Sequence, residues 1–419
     1  MSQWLQQVID RGSKTNDWLS PVRQQALNAL RQTRWPTRRT EAWRYTSLSC
    51  LEQLELSPES GNAPFNLAPI AGLETIDLVF VDGQLQTDLT ALNLPQGVSI
   101  YSAQSLPADQ QAAAVSRFSQ VKPSRHLFGM VNDVLADNVL FIDVDPECHC
   151  TTPIRIVHHN HHGYEAHYRV QVNLGHHGKL TLIEHAQGCG DNLRTGFTEC
   201  LLDTHAELEH YQFLINSPQA LYFGGTHFSL NDHAQLNSTV IGFGSQLSRL
   251  DVDIIHSGEH AEAKMNAVYL LGESEHFDLH STIEHAKPNG TSEENVRGIV
   301  GDKATAVFNG RIHIHRDAQK TLAELNNRNL LLSRRGQINT KPELEIYADD
   351  VKCAHGATVA EIEEEALYYL MSRGIGRSQA LVMLNVGFIQ ELINQMPNQA
   401  LAEWLAPILS ARFKEMEVR

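Results

Sequence analysis

No stretch of this chain keeps apolar residues together for the ~18 positions that a membrane-spanning helix needs, so no helical membrane span is expected. Residues 1–7 lack the basic and then apolar segments of a secretory leader, which predicts a cytoplasmic, reducing setting. Cysteine is scarce. The six, at positions 50, 148, 150, 189, 200 and 353, are too few and too irregular to staple 419 residues, and are read as thiols. Positive charge is in deficit, with 33 Lys and Arg against 49 Asp and Glu, and a net charge of −16 repels nucleic acid and acidic membranes. Only residues 21–44 run the other way. There Arg23, Arg31, Arg34, Arg38, Arg39 and Arg44 face one Glu41, which reads as a solvated basic helix face. Also missing are the G-x-x-x-x-G-K-[ST] loop, the G-x-S-x-G elbow and the G-x-G-x-x-G fingerprint, so the chain is expected not to be an enzyme in its own right.

What is present divides into three regions, expected at 1–137, 138–346 and 347–419. The first is mixed and begins with helices. Ser20 and Pro21 start a helix over about 20–33 with Ala26, Leu27 and Leu30 on one face, and residues 76–81 form a strand closed by Asp82 and Gly83. From about 138 the pattern turns to short alternating runs broken by Gly, Asn, Asp and Pro. Tyr168, Val170, Val172 and Leu174 alternate with His167, Arg169, Gln171 and Asn173, which predicts a half-buried strand; Leu250, Val252 and Ile254 do the same against Asp251 and Asp253.

Within this region one small pattern repeats. His177, His205, His233 and His260 each open a turn and strand entry, with starts 28, 28 and 27 residues apart. A fixed period of this length marks a solenoid whose units bury their apolar faces by stacking, so the fold class is expected to be mainly β, with a β-helix (β-solenoid) core. The four histidines, at equivalent turns, should stack as a ladder.

From about 350 the chain is helical. Thr358 and Glu361 have capping-box spacing ahead of Ile362, Ala366 and Leu370, with Gly374 as a stop. A second helix opens at Ser378, and a third runs through Leu401, Leu405 and Leu409. Three helices in about 60 residues make too small a core to stand alone, so they should dock on the β body or a partner.

Nine of the 22 histidines fall in residues 149–185, beside Cys148 and Cys150. No Cys-x-x-Cys pair or His-Glu-x-x-His helix accompanies them, and they are read as solvated loop and turn residues. Cys353 and His355 stand apart, two positions from each other where a strand-like run ends, with Lys352 adjacent to lower the thiol pKa. Two ligands cannot close a four-ligand metal site, so any further ligands must come from elsewhere, most simply another subunit.

Residues 344–358 (LEIYADDVKCAHGAT), followed by Glu364, Tyr368, Tyr369, Ser372 and Arg373, resemble the hallmark stretch of the SufB/SufD family. Residues 306–310 and 327–331 are similar to its last β-helix coils, and residues 36–46 (PTRRTEAWRYT) to the N-terminal signature of its members. The length, this signature and the lack of cysteine clusters resemble the SufD branch. The resemblance implies a right-handed parallel β-helix flanked by an N-terminal helical or mixed domain and a C-terminal helical domain. It implies a scaffold for iron-sulfur cluster assembly in a complex with a SufB-like paralogue and the ABC-type ATPase SufC, or a homodimer in isolation. A transient iron-sulfur cluster would form at the SufB interface, with room for a flavin in the complex and no group held tightly by the isolated chain. By the same resemblance His355 contributes at the nascent cluster with Cys353 close by, while Thr358, Glu364, Tyr368 and Arg373 meet a partner. A carbohydrate-active β-helix enzyme, the main rival, would need clustered acid and base groups in a groove and is usually secreted.

Overall fold

The computed structural model describes residues 2–58, 61, 64–118 and 120–417. From the strand Asn138–Val144 to the strand Lys352–Ala360 the chain winds as a parallel β-solenoid of about eight turns. Each turn adds one strand to a nine-stranded sheet and the next to a facing ten-stranded sheet. The solenoid thus runs on to Ala360, past the boundary expected at 346.

The repeat period works because successive strands pair in step. Val172, Cys200, Phe228, Ile254, Ile283, Ile312 and Leu344 form one inward column, each the register partner of the next. In another column Tyr168 is followed by Gly196, where a Cβ would lie 2.3 Å from the Tyr168 ring. Only glycine lets the two strands close over that ring.

Seven successive turns place a non-glycine residue at positive φ: Glu147, His177, His205, His233, His260, Asn289 and Lys320, with φ from 55° to 64°. This backbone costs ~1 kcal/mol or more per residue. Ring stacking offsets part of that cost, since His177, His205, His233 and His260 lie nearly parallel with centroids 4.6, 4.7 and 4.8 Å apart. The ladder read from the sequence is present.

The alternating runs were assigned the correct inward face and the wrong environment for the other. His167, Arg169 and Gln171 are buried, as are Asp251 and Asp253. The outer face of the nine-stranded sheet is covered by the N-terminal helices Gln3–Gly12, Ser20–Gln32 and Leu127–Leu135, which pack Trp4, Leu27 and Phe128 over Leu193, Phe197 and Phe223. The outer face of the ten-stranded sheet takes the C-terminal helices Arg377–Asn394 and Gln399–Glu417, with Leu405 and Phe413 in one cluster with Phe213, Ile241 and Val268. A parallel sheet covered on both sides has no solvated face.

Arg23 corrects the reading of the basic stretch. It is buried, pairs with Asp17 at 2.8 Å, and donates to the carbonyls of Val134 at 2.8 Å and Ala136 at 2.9 Å, satisfying the open end of the Leu127–Leu135 helix. The histidine-rich segment is likewise less solvated than expected. His158 faces the solenoid interior, stacked between Phe80 and Tyr168, and burial pushes its pKa well down. His159 stacks on Phe65 on the opposite face.

A polar seam runs through the interior. His210 bridges Glu184 at 3.0 Å and Ser238 at 2.9 Å, and further along Ser281 donates to Glu294 at 2.6 Å. Glu294 Oε2 has no hydrogen-bond partner among the described residues, and burial raises this carboxyl to about 7. An acid with a raised folded-state pKa favours the folded chain when protonated, and that advantage is lost as the pH rises from 4.5 through 7. Glu294→Gln should therefore raise stability by about 3 kcal/mol at pH 8 and by less than about 1 kcal/mol at pH 5. Urea unfolding at the two pH values measures the difference; an equal shift at both would refute the assignment.

Candidate functional site

The two ends of the solenoid are built differently. At the first turn the antiparallel strands Gln84–Leu85 and Val98–Ser102 close the two sheets. At the last, Gln337–Ile346 and Lys352–Ala360 are the outermost strands of their sheets, and no described strand pairs beyond them. An uncovered strand edge is a template for pairing with another chain.

Cys353 and His355 lie on the last of these strands. Cys353 ends the inward column of Leu180, Leu208, Leu236, Ala263, Ser292 and Ala323. His355 ends the next column, after Met265, Glu294 and Leu325. Both therefore take core-facing positions at the open end, about 7 Å apart along the strand. Cys353 is half-buried and His355 exposed, because no further turn covers them. One sequence expectation fails here. Partial burial pushes the Cys353 thiol up, and a backbone hydrogen bond at Ala323 works weakly against it. Lys352, one residue away on a strand, takes the other face and does not appear among the influences on the thiol.

Thr358 is a second correction. It lies inside the strand Lys352–Ala360, and its carbonyl accepts a hydrogen bond from Asn329 at 3.3 Å, so it caps no helix. The helix starts later, at Glu364–Ser372, after Glu363. Pairing with the strand Leu322–Leu331 satisfies the backbone of residues 352–360 and outcompetes the local cap. Glu364 opens that helix and lines a cleft of about 370 Å³ with Leu367, Arg377 and Leu381. Tyr368 is 74% exposed, and Arg373 lies 5.1 Å over the Tyr369 ring. Cys353 and His355 thus share one strand face, while Glu364, Tyr368 and Arg373 belong to the adjoining helix and its end.

The sequence reading missed the role of residues 36–46. Arg249, buried on the outer face of the nine-stranded sheet, binds Asp251 at 3.0 Å, Asp278 at 2.9 Å and the Ala42 carbonyl at 2.8 Å. Its guanidinium lies 4.6 Å over the Trp43 ring, and Thr46 donates to Asp278 at 2.5 Å. Burial alone would raise Asp278, but Arg249 and His280 outweigh it and hold the carboxyl well below its usual range. Nearby, Asp253 accepts from His126 at 2.8 Å and pairs with His227 and Arg125. The alternating acids Asp251 and Asp253 were the available signal, read as solvent-facing.

Residues 157–388, more than half of the chain, match the family model described as SUF system FeS cluster assembly, SufBD core domain. The chain belongs to the SufB/SufD family. The iron-sulfur cluster assembly protein SufD of Escherichia coli K12 is 31% identical over 412 residues, covering 96% of this chain and 94% of the relative. A SufBD family protein of Synechocystis is 26% identical, covering 93% of this chain and 90% of its own length. Protein ABCI7, chloroplastic, of Arabidopsis thaliana is 27% identical, over 92% and 84%. Within the SufB/SufD family the similarity is to SufD, and the role of the chain lies in iron-sulfur cluster assembly. Among the described residues no helix is long and apolar enough to cross a membrane.

Proposed function

We propose that this chain is a non-catalytic scaffold subunit whose open solenoid end pairs with a SufB-like paralogue, so that a nascent iron-sulfur cluster forms between the two chains. His355 and Cys353 face that junction. The observation that carries this reading is the asymmetry of the ends: one is closed by antiparallel strands, and the other leaves strand edges and core-facing side chains exposed. Surface chemistry agrees. Of nine exposed large hydrophobic residues among the described residues, seven lie between 346 and 383, including Ile346, Tyr347, Val359, Tyr368 and Tyr369. Aromatic side chains concentrated on one surface are the usual anchors of an interface.

The helices after Ala360 form the docking surface for an ABC-type ATPase of the SufC kind, with Glu364, Tyr368 and Arg373 at the contact and Thr358 beside it. ATP-driven closure of that partner turns the helices, and the stiff solenoid passes the rotation to the junction. The cluster is cargo, and a flavin, where the complex carries one, sits with the partners. Alone, the chain pairs with itself through the same edge. The setting is cytoplasmic.

Co-expression with the two partners tests the reading. Iron and sulfide per complex should fall at least about tenfold in His355→Ala, while the complex still assembles. Cys353→Ala should lower them less, because burial keeps its thiol protonated. Val359→Asp, which puts a charge at the docking edge, should instead prevent assembly. Wild-type cluster content in both site variants would leave Cys353 and His355 as structural positions only.

A further inference from the structure

The histidine ladder has a feature that neither the turns nor the stacking explain. Asn289 and Lys320 occupy the same left-handed turn position, so the backbone does not require histidine there. Stacking accounts for the rings of His177, His205, His233 and His260. His176 lies outside the column, edge-on to His177 at 4.2 Å and 67°, and Glu147 begins the column with a carboxylate that stacks on nothing. Each of the three side chains offers one ligand atom, and the three atoms lie within 4.8 Å of one another. None makes a side-chain hydrogen bond or ion pair among the described residues.

We propose that Glu147, His176 and His177 bind one divalent first-row transition metal ion at the first-turn end of the ladder, far from the open end that carries Cys353 and His355. Two imidazoles and a carboxylate suit Zn2+ or Fe2+ and disfavour soft Cu+. Ligand atoms around a tetrahedral ion stand about 3.3 Å apart, so the side chains must converge by up to about 1.5 Å, which rotation at the surface allows. His177 is held by its stack on His205, and the preformed partner reduces the ordering needed. Water completes the shell, and the ion exchanges readily. Cys148 stays out of the shell, since its Sγ donates to the Gln96 carbonyl at 3.3 Å.

The buried cluster of His126, His227 and Asp253 also groups three ligand atoms, but both imidazoles and Arg125 already occupy that carboxylate. Its groups fasten the N-terminal helix to the sheet. At Glu147 the ligand atoms are unengaged.

Calorimetric titration of Zn2+ into the untagged full-length chain, with Co2+ absorption as a second probe, tests the site. One ion should bind, and the Co2+ spectrum should lack thiolate charge-transfer bands. The double variant Glu147→Gln/His176→Gln should lose at least about tenfold in affinity. His233→Gln/His260→Gln and Cys353→Ala/His355→Ala should bind as the wild type does, with circular dichroism confirming that every variant is folded. Unchanged affinity in the first variant overturns the proposal. So does a loss confined to either of the others, which would move the ion along the ladder or to the open end.

Discussion

Lowering the pH from 7 to 5.5 should destabilise this protein by about 3 kcal/mol, before carboxylates of ordinary pKa begin to protonate. Four buried imidazoles are responsible. Burial pushes His185 down to about 3 and His285 to about 4, and lowers His158 and His256 well below the ordinary value. Neither ring nitrogen of His158 or His185 has a hydrogen-bond partner among the described residues, so no acceptor waits there for a second proton, and at His256 burial outweighs a backbone hydrogen bond at Ala261. Below pH 6.5 the unfolded chain takes up protons that the folded chain refuses, and stability falls as the pH falls. A histidine held neutral over this range costs about 1 kcal/mol at pH 5.5 relative to pH 7, so the four together cost about 4 to 5 kcal/mol. Glu294 works in the opposite direction over the same range and returns about 2 kcal/mol. The net loss, about 3 kcal/mol, is large against a typical total stability of about 5 to 15 kcal/mol.

Urea unfolding at pH 7.5, 6.5 and 5.5 measures this loss directly. In the Glu294→Gln background the fall should be steeper, because the opposing group is gone. A free energy of unfolding that stays level from pH 7.5 to 5.5 in both proteins would contradict the account.

Replacing Arg249 should have the largest effect of any single substitution on how the N-terminal segment is held. Arg249→Met keeps the bulk of the side chain but leaves Asp251 and Asp278 buried without their shared counter-charge, and it also removes the bond to Ala42 and the stack on Trp43. Breaking a buried ion network from one side costs about 3–5 kcal/mol. The loss should free residues 36–49 before the solenoid itself unfolds, so limited proteolysis should cut there while circular dichroism keeps its β signal. Adding Asp278→Asn to Arg249→Met removes one stranded charge and should recover part of the stability. If the single variant resists protease as the wild type does, the segment is held by other contacts.

How legible each feature was depended on the range of the interaction behind it. The turn histidines were readable because each repeats a local event, a left-handed turn followed by a strand entry, at nearly constant spacing. The inward columns were readable for the same reason: a strand alternates with a period of two whatever lies beyond it. The buried outer faces were not. Arg169, Arg249 and Asp253 look solvent-facing until helices from the two ends of the chain are laid over the sheets. Thr358 failed in the same way, since its local capping signal lost to a ladder of hydrogen bonds with residues about 30 positions earlier.

The candidate site divides along this line. Cys353 and His355 could be singled out from spacing and from resemblance to the SufB/SufD family. Their position as the last members of two inward columns follows from the register of the preceding turns, and so does the raised Cys353 thiol where the neighbouring lysine suggested a lowered one. By itself the sequence determined the solenoid, its period and the helical ends, because these rest on propensity and patterning within about thirty residues. Only the tertiary structure decided which polar residues are buried, which sheet edge stays open and which ionisable groups are displaced from their ordinary pKa, because those depend on what distant segments cover.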